Sequence, residues 1–272
     1  MKKGNLAIVS MSFVKPEDAA LQERILGTMK AFTDRGYPVY VADGGSPDEF
    51  VRNIKGLGVN VITKEELIEC YGQHPKLPGQ HKSAYFAALD DGAEHCLYSE
   101  PDKKEWAESG NLELAVKQYF NEQLEHGEIA RTPEQMQTFP AAQQITEGIL
   151  NKQLGLWTGV EGDYIYGPQI SSKGLIETID HIPNNPSLGW ATVTWLPIIA
   201  TMRGMKLGML NYGLGCPTEQ QTEVTQEDVE YRLKQGRDNL MGINTAVALG
   251  IESELDRIGI LNQYIQRNVD IK

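Results

Sequence analysis

Short apolar runs recur through the first hundred positions, separated by stretches whose apolar residues fall three and four apart. LAIVSMSFV (Leu6 to Val14) is apolar along most of its length, the pattern of a strand buried on both faces. Pro16-Glu17-Asp18 makes a good helix opening, and helical spacing continues until Gly36. YPVYVADGG reads as a second strand closed by Gly44-Gly45-Ser46, residues 47–55 as a short helix, and GVNVITKE as a third strand. LPGQHKSAYFAALDDGAE reads as a loop feeding a helix from about Gln80, and HCLYSEPDK as a fourth strand and its exit. This alternation predicts an α/β fold, a mostly parallel sheet flanked by helices. Such sheets bind ligands outside the carboxyl ends of their strands. Three polar clusters fall at those ends: Ser10-Met11-Ser12, Asp43-Gly44-Gly45-Ser46 and Glu100-Pro101-Asp102.

The pattern changes in the second half. Residues 111–123 are helical, and GEIARTPEQMQTFPAAQQITEGILNKQLGLWTG holds a short strand, a loop and a helix. Residues 162–210 mix aromatic loops, a helix and a final strand. From Thr225 to about Ile251 a polar-rich amphipathic helix follows, then a shorter one. The expected organisation is a catalytic domain over 1–224, with a nucleotide-binding half (1–105) and an acceptor half (106–224), and a helical tail over 225–272.

Composition narrows the function classes. The chain has 272 residues, 40% of them hydrophobic, enough for a substantial core. Its formal charge of −12 argues against a nucleic-acid partner, whose footprint would be basic. It leaves room for a small anionic ligand, because a metal or a few local cations override the global sign. Three scattered cysteines without a C-x-x-C pair support neither a disulfide framework nor a zinc knuckle, and point to a reduced, cytoplasmic compartment. The apolar run after Lys2-Lys3 is short, interrupted by polar residues and reads as a strand rather than a signal peptide. No stretch approaches the ~20 apolar residues of a transmembrane helix.

Each polar cluster has two readings. A strand-end Asp43 followed by Gly44 and Gly45 lets backbone approach a ligand while the carboxylate accepts hydrogen bonds from a base or ribose. The same residues also make an ordinary turn with Ser46 as helix cap. Lys82, ahead of a helix, is placed to meet a phosphate or to be a solvated helix start. Glu100 and Asp102, two apart on an extended segment, point the same way and can face one hard cation, or form an acidic strand exit. In EGDYIYGPQISSKG, Tyr164 and Tyr166, with Trp190 further on, are candidates to stack on a sugar or to cover the core. Arg131, after the short strand GEIA, is a candidate for an anionic acceptor or for a surface ion pair.

Taken together, AIVSMSFV, VYVADGGSPDEFV, GQHKSAYFAALDDGAEHCLYSEPDK and GMKLGML resemble family-2-like glycosyltransferases of the GT-A fold, within the nucleotide-diphospho-sugar transferase superfamily. In that family the second strand ends in Asp-Asp-Gly-Ser, a basic loop precedes the third helix, and the fourth strand ends in an Asp-x-Asp metal motif. The resemblance spans about residues 5–105 and continues more weakly to about 210. It implies a Rossmann-like GT-A domain and an enzyme moving sugar from a UDP- or GDP-linked donor to a hydroxyl of a small-molecule or glycan acceptor. It also implies Mn²⁺ or Mg²⁺ as cofactor. By the resemblance, Ser10 and Asp43 hold the nucleoside, Lys82 lies near the diphosphate and Asp102 binds the metal, with Glu100 in place of the first Asp of the motif. Beside these, Ser12, Gly44, Gly45 and Pro101 are further donor-site candidates, and Arg131, Tyr164, Tyr166 and Trp190 are the acceptor-site candidates.

One departure stands out. Inverting members carry a Glu-Asp pair whose Asp deprotonates the acceptor, and here Gly189-Trp190-Ala191 occupies that place. A general base needs a titratable group within hydrogen-bond reach. Three readings follow: a retaining enzyme whose leaving diphosphate takes the proton; another carboxylate as base, Asp163 first and Asp180 next; or a binding or scaffold protein that has lost activity. A sugar-1-phosphate nucleotidyltransferase would carry a Gly-rich, Arg-containing loop after the first strand, and SMSFVKPED does not. A nicotinamide dehydrogenase would carry G-x-G-x-x-G, which is absent. The C-terminal helices offer a surface for a homo-oligomer.

Overall fold

The computed structural model describes residues 5–71, 77–181, 191–217 and 225–257. Among them, β1 (Leu6–Ser12), β2 (Val39–Asp43), β3 (Asn60–Ile62), β4 (His95–Tyr98), β5 (His126–Ile129), β6 (Gln169–Ser172) and β7 (Leu207–Leu210) form one sheet. Its order is β3-β2-β1-β4-β6-β5-β7. β6 runs antiparallel between β4 and β5; every other pair is parallel.

The helices are α1 (Ala19–Asp34), α2 (Asp48–Gly56), α3 (Lys64–Tyr71), α4 (Leu77–Asp90), α5 (Lys104–Glu108) and α6 (Asn111–Asn121), then α7 (Pro133–Met136), α8 (Ala141–Thr158), α9 (Lys173–Ile176), α10 (Ala191–Met202) and α11 (Gln226–Arg257). Asp18 caps α1, its side chain accepting from the Leu21 amide at 3.1 Å. Thr132 and Gln135 form a reciprocal capping box on α7.

β1 is buried at every position, and its side chains alternate between two cores. Leu6 and Ile8 join Ile25, Phe32, Trp106 and Tyr119 on one face of the sheet. Ala7, Val9 and Met11 join Tyr85, Tyr164, Trp195 and Ile243 on the other. Two covered faces explain the near-continuous apolar run in this strand. α11 packs along α10 and α8, and Trp195 donates its indole N–H to the Gly242 carbonyl at 3.0 Å. No helix among the described residues is long and apolar enough to cross a membrane.

Four elements differ from the sequence expectation. α4 begins at Leu77, so Gly79 to Lys82 lie inside a helix rather than on a loop before it. α3 follows directly on β3, where the strand was expected to continue. QISS forms β6, a central strand, although its sequence has the polarity of a loop. Its hydrogen-bonding groups are taken up by strands on both sides, so pairing overrides weak local propensity. α11 is continuous to Arg257, beyond the break expected near Ile251.

A cleft at the carboxyl edge of the sheet

A cleft of about 800 Å³ opens where β1 and β4 end and where β5 and the Tyr166-Gly167 approach to β6 reach the same edge. Its floor is Met11, Ser12 and the Glu100-Pro101-Asp102-Lys103 exit of β4. Arg131 and Tyr166 form one wall, Gln143 and Glu147 of α8 another, and Arg232, Gln235 and Asn239 of α11 the roof. A volume of this size suits a ligand of roughly 300–1,000 Å³.

Glu100 and Asp102 do share the cleft, but their environments differ. Glu100 Oε2 is 2.9 Å from the ammonium of Lys103. Burial pushes the Glu100 carboxyl up, Lys103 pulls it down, and the charge of Asp102 raises it again, for a net upward shift. Burial opposes charge on Lys103, yet Glu100, Asp102 and the Tyr166 ring outweigh it and hold the ammonium more firmly protonated than usual. Lys103 Nζ also lies 4.7 Å from the centre of that ring. The Asp102 carboxylate accepts no hydrogen bond from a described residue; its backbone carbonyl accepts from Arg24 Nε at 2.7 Å. Gly167 stands against this corner with φ +117°, and a Cβ there would meet Glu100 Oε2 at 2.8 Å. Only glycine combines that backbone with that clearance.

Several expected contacts lie elsewhere. Asp43 is buried and does not line the cleft; it organises its own turn. Its Oδ2 accepts from Ser12 Oγ at 2.7 Å and Ser46 Oγ at 2.6 Å. Its Oδ1 accepts from the Gly45 amide at 2.9 Å and the Ser46 amide at 2.8 Å. Four bonds use the acceptor capacity of a carboxylate, so a nucleoside contact requires this turn to open. Gly44 and Gly45 shape the same turn, with Gln80 of α4 over Gly44: a Cβ there would lie 3.1 Å from Gln80 Nε2. Ser10 is buried and donates to the Ser99 carbonyl at 2.7 Å. Lys82, inside α4, donates to the Asp180 carbonyl at 2.9 Å and does not line the cleft; Gln80 does. Burial lowers the Lys82 pKa, against the opposing charge of Asp180.

On the acceptor side, Asp163, the candidate base or acceptor contact, does not line the cleft and is engaged by neighbouring side chains. It accepts from Arg131 Nε at 2.6 Å, Arg131 Nη2 at 3.0 Å and Asn151 Nδ2 at 2.8 Å, behind the cleft wall. Arg131 also binds Glu147 Oε2 at 2.5 Å, and both side chains are nearly inaccessible. The guanidinium lies between the rings of Phe139, at 4.5 Å, and Tyr166, at 5.2 Å. The surface ion pair considered for Arg131 is thus a buried two-carboxylate clamp. Tyr166 lines the cleft, and its hydroxyl accepts from the Leu214 amide at 3.2 Å. Tyr164 faces the core instead, 2.6 Å from Thr158 Oγ1. Trp190 lies outside the described residues.

Lys103, Gln80, Gln143 and Glu147 escaped the sequence reading. Lys103 had a signal, since it stands three residues after Glu100 in a tight exit turn. Glu147 and Gln143 are one helical turn apart, joined by a 2.7 Å hydrogen bond, but nothing local says which face of α8 meets the cleft.

The fold has known counterparts. Glucosyl-3-phosphoglycerate synthase from Mycobacterium tuberculosis, in complex with phosphoglyceric acid, superposes with TM-score 0.59 at 12% identity, over 89% of this chain and 79% of that one. The same enzyme with Mn²⁺, uridine diphosphate and glucosyl-3-phosphoglycerate gives TM-score 0.57 at 12% identity and the same coverage of both chains. Mannosyl-3-phosphoglycerate synthase from Rubrobacter xylanophilus gives TM-score 0.55 at 15% identity, over 94% of this chain and 75% of that one. No protein-family model and no curated protein sequence matches the chain. The chain therefore has the GT-A fold of nucleotide-sugar glycosyltransferases, as the resemblance in its first hundred residues implied.

Proposed function

We propose that the protein is a glycosyltransferase that binds a UDP- or GDP-linked sugar in this cleft and transfers the sugar to a hydroxyl of a small acceptor. The observation that carries the reading is the meeting of Glu100, Asp102 and Lys103 with an aromatic and amide-lined wall in one cleft at the strand ends of a GT-A sheet. Structural counterparts bound to uridine diphosphate, Mn²⁺ and phosphoglyceric acid support this class of donor and a small-molecule acceptor.

The residues present suit a hard divalent ion. Glu100, Asp102, Glu147 and Asp228 line the cleft against Lys103, Arg131 and Arg232, so its own charge is negative. A metal-free diphosphate would meet Lys103 against this net negative charge, and a divalent cation would reverse the local sign. The described residues hold no cluster of three or more metal-ligating side chains. Mg²⁺ or Mn²⁺ commonly takes one or two carboxylates, with phosphate oxygens and water filling the rest. Asp102, without a described partner, would hold the ion. A bound ion would neutralise charge on the departing diphosphate.

In the transfer, the bond from the sugar's anomeric carbon to the diphosphate oxygen breaks, and a bond to the acceptor oxygen forms. The acceptor proton must leave. Asp163 is occupied by Arg131 and Asn151, and Glu147 by Arg131 and Gln143. With these two carboxylates engaged, the reading assigns the acceptor proton to the departing diphosphate oxygen, the course of a retaining transfer. Tyr166 and the amides of Gln143, Gln235 and Asn239 line the space left for sugar hydroxyls. Asp163→Asn, which keeps an oxygen for Arg131, should therefore retain transfer, whereas Asp102→Asn should abolish it.

Thermal melts with UDP, GDP or neither, each with Mn²⁺ or EDTA, provide the test. A nucleotide at a hundred times its Kd stabilises the fold by about 2.7 kcal/mol. No shift with either nucleotide, with or without Mn²⁺, would sink the reading. The specific second reading is a sugar-nucleotide binding protein without turnover, favoured by the engagement of both acceptor-side carboxylates. It predicts the melting shift without release of UDP from UDP-sugars in the presence of acceptors.

A further inference from the structure

We infer that Lys103 is a resident cation of the donor site: its ammonium masks Glu100 from a divalent ion and meets the diphosphate directly. This rests on the donor reading above and assigns a role to a residue outside the Asp-x-Asp resemblance.

The geometry is specific. Lys103 lines the cleft, and its side chain is about one-quarter exposed. The ammonium is 2.9 Å from Glu100 Oε2 and sits over Tyr166 at 4.7 Å. An ammonium has three N–H donors. Glu100 takes one, and Tyr166 contributes a π face. Donor capacity therefore remains toward the cleft, on the same floor as Asp102. A Cβ at Gly167 would lie 2.8 Å from Glu100 Oε2, so the glycine leaves that oxygen the space in which it meets Lys103. Glu100 is thereby held toward Lys103 rather than left as a second open carboxylate beside Asp102.

Two consequences follow with opposite signs. Removing the ammonium exposes Glu100, so the free protein should bind Mn²⁺ more tightly, through Glu100 and Asp102 together. The same change removes a cation from the diphosphate, so binding in EDTA should weaken. A merely structural lysine would produce neither the tighter Mn²⁺ binding nor its coupling to the loss of anion binding.

The experiment uses the full chain. Mn²⁺ affinity of the ligand-free protein is read from the electron paramagnetic resonance signal of free Mn²⁺. Affinity for UDP and for inorganic pyrophosphate is read by calorimetry in EDTA. For Lys103→Met, Mn²⁺ affinity is expected to rise about tenfold and pyrophosphate affinity in EDTA to fall about tenfold, the size of one charge-assisted contact. Lys103→Arg should restore pyrophosphate binding, and Glu100→Gln should keep it while showing no gain in Mn²⁺ affinity. If Lys103→Met does not fold, the arginine and Glu100→Gln variants decide by these outcomes. Unchanged or weaker Mn²⁺ binding in Lys103→Met, or pyrophosphate binding in EDTA that is absent from the parent or unaffected by the substitution, overturns the inference. If the parent binds pyrophosphate with the expected Lys103 dependence but neither UDP nor GDP, the donor reading fails while the cation site stands.

Discussion

Asp163 shows how a carboxylate's partners define its work. Its bidentate contact with Arg131, and the second clamp on Glu147, place three charges in a nearly dry wall of the cleft. Breaking one arm leaves a buried charge undercompensated, which typically costs about 3–5 kcal/mol. Asp163→Ala should lower the melting temperature by roughly 10 °C, since 1 kcal/mol moves a chain of this size by about 2–4 °C. A melting temperature within 2 °C of the parent would show that the clamp contributes little. A second buried group is His126, at the start of β5. Its Nε2 is 2.8 Å from Glu128 Oε1 and its Nδ1 2.8 Å from Ser171 Oγ. Burial pushes the imidazole down to about 3 and the Glu128 carboxyl upward, the latter further helped by the charge of Asp163. The signs differ. Below about pH 6.5 the unfolded chain protonates His126 while the fold does not, so stability falls on acidification toward pH 3. The Glu128 carboxyl is raised in the fold, so its contribution is present below about pH 4.3, where the unfolded carboxyl is protonated too, and is lost as pH rises through the folded value. Glu128→Gln keeps a donor for His126 without an ionisable group. It should melt at or above the parent at pH 8 and keep the acid-side loss due to His126. A melting temperature well below the parent at pH 8 would point to an ionic pair instead.

At the scale of elements, the β4 exit and the approach to β6 are one device. β6 runs antiparallel, so the residues before it arrive at the edge where β4 ends. Gly167 therefore meets Glu100 although they are far apart in the chain. Gly167→Ala forces a Cβ onto Glu100 at positive φ, a strain of order 1–3 kcal/mol. It should displace Glu100 and weaken UDP binding with Mn²⁺, as calorimetry on the folded variant can measure. α11 is the other informative element. Asn239, Gln235, Arg232 and Asp228 lie on one side of it toward the cleft, while Ile243, Ala246 and Val247 join the core. Asn239 is 3% exposed, and its Oδ1 has no hydrogen-bond partner among the described residues. An unpaired buried acceptor costs about 1–3 kcal/mol, which a ligand hydroxyl would recover. Asn239→Leu should leave UDP affinity unchanged, raise the KM for acceptor or donor sugar, and preserve or increase the melting temperature. Unchanged KM values for both would place α11 outside recognition.

Across the whole molecule, a chain of net charge −12 carries an acidic cleft, so the nucleotide donor proposed above would have to bring or find positive charge there. UDP-induced stabilisation should therefore be larger with Mn²⁺ than in EDTA, and the difference should shrink in Asp102→Asn. Equal shifts in both media would mean that the protein's own cations suffice. Much of this architecture is visible in the amino-acid sequence. The apolar runs and helical spacings before residue 105 specify a parallel α/β half, because strand and helix periods are local properties and parallel connections have few layouts. The same logic brings Ser12, Glu100 and Asp102 to one edge. Tertiary contacts decide what local pattern leaves open. Ser12, Ser46 and two backbone amides turn Asp43 into a loop anchor, and Arg131 takes Asp163 away from the cleft. β6 is a strand because two neighbours saturate its backbone, while the packing of α11 on α8 and α10 makes a polar helical tail the roof of the site. The Ser12 bond to Asp43, the Arg131 clamp, the β6 pairings and the seat of α11 all join residues dozens of positions apart, whose partners no local period identifies. The pair first visible as Glu100-Pro101-Asp102 is likewise divided by the fold: the Asp102 carboxylate accepts no hydrogen bond from a described residue, while Glu100 is paired with Lys103 in a corner where Gly167 leaves no room for a Cβ.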